Sequence, residues 1–392
     1  MTDSAITPKS LGYRMPAEWS RHSGTLLSWP ANRETWPGER LNRVEKVYAD
    51  IVETLCRFEP VHLLIPDSAT EVRMRRAIKD RTINAANLIL HRIPTNDVWV
   101  RDCGPIMLKK TGTVHEFQGD KKMTGTQQGS VAGTGIHGGS TDTSEGSPAS
   151  AGVVLTDWGY NAWGGKYPPY DDDNRIPEYF GAKYGIPRFN PGIILEGGSV
   201  ETDGEGTLIT TKSVLLNPNR NPGLSPEKIE CYLKEYLGMD RIIWLGDGLA
   251  GDDTDGHIDD LTRFLNPNTL MTMVSENTGD VNYRALKENL EKLRSLTRPD
   301  GSRYEIIPVH LPETRIKGTT VDGSEYVPAS YANFYIANDV VILPVYDKKY
   351  DGGVTEMMQH YFPDRHIAAI RCADLVWGQG SVHCITQQLY GI

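Results

Sequence analysis

The sequence predicts an α/β fold of about five repeated units packed around a common axis, and three observations lead there. The first is an order of elements: an apolar hairpin signal, an amphipathic helix and a short apolar strand recur at intervals of roughly 50 to 95 residues. The second is size. Each unit is too small to bury its own apolar face, so stacking into one domain over 1–392 is favoured over the two or three domains that length suggests. The third is composition, 39% hydrophobic and 23% charged, the balance of a globular protein with a large core.

Taken in order, the first unit is built around TLLSWP near the N-terminus. Arg43 to Glu59 reads as a helix, because Val44, Val47, Tyr48, Ile51, Leu55 and Phe58 recur at helical spacing before Pro60; the strand-like VHLLIP follows. WVRDCGPIMLKKTGTVHEF reads as a hairpin. So does IILEGGSVETDGEGTLITT, and a helix then starts at Ser225 with Pro226 in its first turn. That helix carries Ile229, Tyr232, Leu233, Tyr236 and Leu237 on one face, ends at Gly238 and leads into RIIWL. The hairpin signal GHIDDLTRFLNPNTLMTMV precedes a helix from about Tyr283 to Arg298 and the strand EIIPVHL. SYANFYIANDVVILPVY precedes a short helix around Val354 to Phe362, stopped by Pro363, and the strand HIAAI. One stretch breaks the order: from about Gly119 to Gly152 the chain is rich in Gly, Ser and Thr and reads as a long mobile surface insertion with no catalytic part.

No run approaches the roughly 18 to 20 apolar residues of a membrane helix, and MTDSAITPKS has neither a basic start nor an apolar stretch, so a cytoplasmic protein without a membrane partner is expected. The five cysteines lack CxxC spacing and suggest neither a disulfide framework nor a zinc knuckle. A net charge of −10 argues against nucleic acid and suits a small cationic partner, although acidity also serves solubility alone.

Four segments carry residues able to do chemistry. Cys384 lies in GQGSVHCITQQ, where glycines lead into a strand-like run; positive charge nearby would activate its thiol, and His383 and His257 are candidates for that neighbourhood. Cys103 is its rival. In GDGLAGDDTDGHIDD, His257 stands two residues before Asp259, so in a strand both would point to one face, an acid/base imidazole beside a carboxylate. A calcium loop fails there, because an EF-hand needs an oxygen ligand at the position held by Thr262. Asp102, in NDVWVRDCGP, stands close to Trp99, and a carboxylate with an aromatic face is what a planar cation requires; equally, Asp102 is a turn residue paired with Arg101. Glu196 follows the apolar run Ile193, Ile194, Leu195, where a carboxylate needs a partner.

Together with RMPAEW, SWPANRETWPG and NAWGGKYPPYDDDNRIP, these motifs, in this order over nearly the whole chain, resemble the agmatine deiminase and bacterial peptidylarginine deiminase family of guanidine-modifying enzymes. The resemblance implies a five-bladed α/β propeller, the pentein fold, of ββαβ units around a pseudo-fivefold axis. It implies Cys384 as nucleophile, His257 as general acid and base, Asp102 and Asp259 as the carboxylates for the guanidinium, and Glu196 orienting histidine and substrate. It also implies hydrolysis of agmatine to N-carbamoylputrescine and ammonia through an amidino-cysteine intermediate, with no metal or organic cofactor. Asp253, in the acidic run, is the expected contact for a distal amine, and Trp99 for an aliphatic stem. Peptidylarginine or free arginine as substrate, amidino transfer to an amine, metal-dependent hydrolysis and a non-catalytic polyamine- or guanidine-binding role are the competing readings, and assembly into a homo-oligomer is left open.

Overall fold

In the computed structural model, which describes residues 6–111, 151–318 and 320–392, the apolar runs form strands gathered into five sheets of three or four strands each. The same order builds every sheet: an antiparallel pair, then a helix, then a strand added in parallel. Glu201–Thr202 pairs antiparallel with Thr207–Thr211, which takes Arg241–Leu245 as a parallel neighbour after the helix Pro226–Leu237. Thr262–Asn266 and Thr269–Val274 take Glu305–His310 after Tyr283–Ser295, and Tyr335–Ile336 and Val340–Val345 take His366–Arg371 after Asp351–Tyr361. Ile106–Lys110 and Val153–Thr156 take Arg188–Phe189 after Ile176–Tyr184. In the remaining sheet the pair joins the two ends of the chain, Gln387–Leu389 against Gly24–Ser28, with Val61–Ile65 and then Leu88–Arg92 in parallel.

The helices form where local chemistry starts and stops them. Ser225 accepts the Lys228 N–H at 3.4 Å, Pro226 opens the helix, and Gly238 closes it at a left-handed φ of 72°. Arg40–Cys56 starts three residues before the expected Arg43, because Leu41 also reaches the core beside Val44, Tyr48, Ile51 and Leu55. Ser68–Ala77 and Ile176–Tyr184 lack the clear apolar stripe that periodicity detects; only Thr70 and Met74 of the former are buried. Among the described residues no helix is long and apolar enough to cross a membrane. The expected insertion after Gly119 lies outside the described residues, apart from Ala151 and Gly152.

Three expectations are corrected, all at the segments bearing polar residues. Val100–Cys103 is a single helical turn, and the strand after it, Ile106–Lys110, pairs with Val153–Thr156 beyond the expected insertion. His257 and Asp259 are not in a strand: His257 precedes the 3₁₀ turn Ile258–Asp260, which contains Asp259. Cys384 lies in a turn, before the strand Gln387–Leu389. At or just before each of these turns polar side chains take backbone N–H groups that a sheet ladder would otherwise use, while within Val100–Cys103 the N–H groups go to backbone carbonyls, that of Arg101 to Cys384 at 3.2 Å. Asp173 accepts the Asn96 N–H at 2.7 Å and Asp97 that of Val98 at 2.9 Å. Asp252 accepts those of Gly256 at 3.1 Å and His257 at 3.0 Å; Asn333 accepts that of His383 at 3.0 Å.

Candidate active site

These turns bring distant segments to one place. The meeting point is Gly198, in the 3₁₀ turn Gly197–Ser199 that follows Glu196. A Cβ on residue 198 would lie 2.6 Å from His257 Nδ1, 2.9 Å from Asp102 Oδ1 and 3.0 Å from Asp259 Oδ2, so only glycine lets the three side chains close around the backbone. The Gly198 N–H donates to Asp102 Oδ1 at 2.9 Å, and His257 Nδ1 lies 3.7 Å from that oxygen. The Cys384 thiol sits 3.6 Å from Asp259 Oδ2 and takes a contact from Asn333 Nδ2 at 3.2 Å. Gly380 works in the same way from the other side, where a side chain would run into the Trp99 ring and Cys384 Cβ.

A cavity of about 780 Å³ opens beside this cluster. Cys384, Asp102 and Asp253 line it together with the rings of Trp99, Trp163 and Tyr167, while His257, Asp259 and Glu196 are fully buried. Acid and aromatic walls suit an elongated cation. Trp163 holds a left-handed φ of 56°, which a tryptophan rarely adopts, and its indole N–H donates to Asp102 Oδ2 at 2.9 Å. Asp253 receives the Tyr167 hydroxyl and the Val321 N–H, the latter at 2.7 Å. Of the acidic run, Asp252 holds the backbone of the turn and Asp255 pairs with Lys166 at 2.7 Å and with Arg220; Asp253 is the acid that faces the cavity.

Burial raises Asp102 to about 6, with the like charges of Asp259 and Glu196 adding to it against the pull of His257. Asp259 goes the other way. Burial would raise it, but the hydrogen bond and charge of His383 hold it below the usual aspartate value. Burial also works against a charged His257, yet Asp102, Asp259 and Glu196 outweigh it and raise its pKa. The Cys384 thiol is pushed well up by burial and by Asp259, Asp260 and Asp102. Burial and these carboxylates therefore favour the thiol of Cys384 over its thiolate.

Six of the residues singled out in the sequence, Cys384, His257, Asp102, Asp259, Trp99 and Asp253, thus meet around the cavity and Gly198. Glu196 joins them through the turn, its Oε1 taken by Arg220 at 2.6 Å and its Oε2 without a partner among the described residues. Arg101 does not pair with Asp102; it reaches the His383 carbonyl at 3.3 Å and Gln388 Oε1 at 3.0 Å. Cys103 is buried with its sulfur against the Trp99 carbonyl, away from the cavity. Sequence reasoning did not single out Trp163, Arg220 or Asn333. The unusual density of asparagine, proline and glycine in NAWGGKYPPY and NPNRNPG was the available signal for the first two.

The model of the Porphyromonas-type peptidyl-arginine deiminase family matches residues 14–389. A Legionella pneumophila (strain Paris) protein named "Putative agmatine deiminase" is 34% identical over 386 residues, covering 97% of this chain and 96% of that protein. Among solved structures, an agmatine deiminase of Enterococcus faecalis superposes with a TM-score of 0.80 at 28% identity, over 98% of both chains. A Porphyromonas gingivalis protein described as "Putative Arginine Deiminase" superposes with a TM-score of 0.77 at 34% identity, over 96% of this chain and 98% of that one. Matched over nearly its whole length, the chain belongs to the Porphyromonas-type peptidyl-arginine deiminase family.

Proposed function

We propose that this protein is an agmatine deiminase, a hydrolase that converts agmatine and water to N-carbamoylputrescine and ammonia. The observation that carries the reading is the convergence of Asp102, His257 and Asp259 on Gly198 beside Cys384, at a cavity with acidic and aromatic walls. The agmatine deiminases among its relatives support the substrate.

The chemistry follows from what each group can do. Asp102 and Asp259 pair with N–H groups of a guanidinium that stays charged at neutral pH, setting its carbon before Cys384. The bound cation offsets the carboxylates that oppose ionisation, and the thiol loses its proton to solvent. Sulfur bonds to the guanidinium carbon, and protonated His257 gives its proton to the departing nitrogen, so ammonia leaves an amidino-thioether. His257 then takes one proton from attacking water; collapse forms the ureido carbonyl and returns the thiolate, the remaining hydroxyl proton passing to solvent. Glu196, anchored by Arg220, keeps Oε2 for the imidazole or a substrate nitrogen. Trp99 packs along the aliphatic stem and Asp253 receives the distal amine. Nothing in this sequence of steps calls on a metal or an organic cofactor.

On the same reading the five sheets are five blades around a pseudo-fivefold axis within a single domain, with the site at the axis, in a cytoplasmic enzyme. Parallel ammonia-release assays on agmatine, free arginine and an arginine peptide, each with and without an acceptor amine, test the function. Release from agmatine well above the other two, with a ureido product, is expected. Equal or greater release from the peptide or from arginine overturns the substrate, and an amidinated acceptor overturns hydrolysis.

A further inference from the structure

The proposed chemistry leaves unused a buried histidine next to Cys384. His383 is 1% exposed, with Nδ1 2.7 Å from Asp259 Oδ2 and Nε2 2.8 Å from Glu18 Oε2. A neutral imidazole has one N–H and one lone pair, so it satisfies one carboxylate and sets its lone pair against the other. Only the doubly protonated ring donates to both. Charge balance agrees with it. Glu18 also accepts from Arg263 Nη2 at 2.8 Å and lies 3.8 Å from Arg101, and Arg263 donates to Glu201 at 2.9 Å. An imidazolium with Arg101 and Arg263 offsets Glu18, Glu201 and Asp259 one for one, whereas a neutral ring leaves this buried set with a net negative charge.

We propose that His383 is a positioning residue of the active site, a buried imidazolium between Glu18 and Asp259 that fixes the orientation and the charge of the Asp259 carboxylate for a guanidinium. This rests on the reading above that Asp259 holds that group. With Oδ2 tied to His383, Asp259 Oδ1 has no partner among the described residues. The ring has little freedom of its own, since its backbone N–H is held by Asn333 and its carbonyl by Arg101. The remaining charged groups packed around Asp259 are His257 and Asp102 across Gly198, and Asp252 and Asp260 on its own segment. The contrast with Asp102 fits: both carboxylates are buried, but His383 hydrogen-bonds Asp259 at 2.7 Å whereas His257 stands 3.7 Å from Asp102, beyond a hydrogen bond, and of the two only Asp259 lies below its usual value.

His383→Asn keeps a neutral donor near the Nδ1 position and removes the charge, and Asp259→Asn reports on the guanidinium contact itself. For His383→Asn, KM for agmatine is expected to rise about tenfold or more, and the acid limb of kcat/KM to steepen from a one-proton toward a two-proton slope and move up by roughly 0.4 pH unit, because Asp259 then titrates alongside Asp102. A part in packing alone would lower kcat/KM alike at every pH and leave that limb in place, which overturns the proposal. Neutron diffraction on the wild-type protein at about pH 7 needs no variant: deuterons on both ring nitrogens of His383 support the imidazolium, and a deuteron on one alone overturns it. If Asp259→Asn leaves KM unchanged, the guanidinium reading fails instead, while the deuterons still report the charge on His383.

Discussion

At the residue scale, the two candidate guanidinium carboxylates have been made unequal by their partners. Asp102, raised to about 6, is protonated below that value, so its charge is lost as pH falls through it. The kcat/KM for agmatine is therefore expected to drop on the acid side with a midpoint near about pH 6. The Trp163 indole N–H favours the ionised form of Asp102. Trp163→Phe should accordingly move the midpoint upward and raise KM near it, with little change well above; a pH profile that coincides with the wild type would remove this hydrogen bond from the account. The sequence revealed Asp102 as chemically apt but not its partner. Trp163 is 61 residues away, and its left-handed backbone has no counterpart in composition or periodicity.

At the scale of elements, the site is made of turns between strands, and Gly198 is the tightest of them. Gly198→Ala puts a methyl group 2.6 Å from His257 Nδ1, within contact distance also of Asp102 and Asp259. Because displacement of about 1 Å costs roughly a hundredfold in rate, kcat/KM should fall by about that factor while the circular dichroism spectrum is unchanged. Near-normal turnover would mean that the three groups need not close around this glycine. Elements with strong local signals were readable in advance: Ser225, Pro226 and Gly238 bound a helix without tertiary help. The polar turns were not. HIDD reads as the start of a strand until Asp252 takes the His257 N–H, and that bond depends on the loop's three-dimensional path.

For the whole molecule, the closing of its two ends is the main structural commitment. Gln387–Leu389 lies against Gly24–Ser28, with Leu389 fully buried and Tyr390 nearly so, and Cys384 stands just before that strand. Deleting 387–392 should lower Tm by roughly 5 to 10 °C, the scale expected from exposing two large side chains and an unpaired strand edge. It should also reduce deiminase activity far more than the remaining folded fraction accounts for, and a scanning calorimetry trace matching the full chain would show that the terminal strand holds nothing in place. By itself the sequence determined which chemical groups are present, the helices with local caps and the recurring order of apolar runs, because these depend on neighbours a few residues apart. Tertiary structure alone decided that Glu196 meets Arg220, Cys384 meets Asn333 and His383 meets both Asp259 and Glu18. Such pairs are set by sheet register and by the closing of the chain ends, and no local pattern encodes a contact between side chains as far apart as 18 and 383.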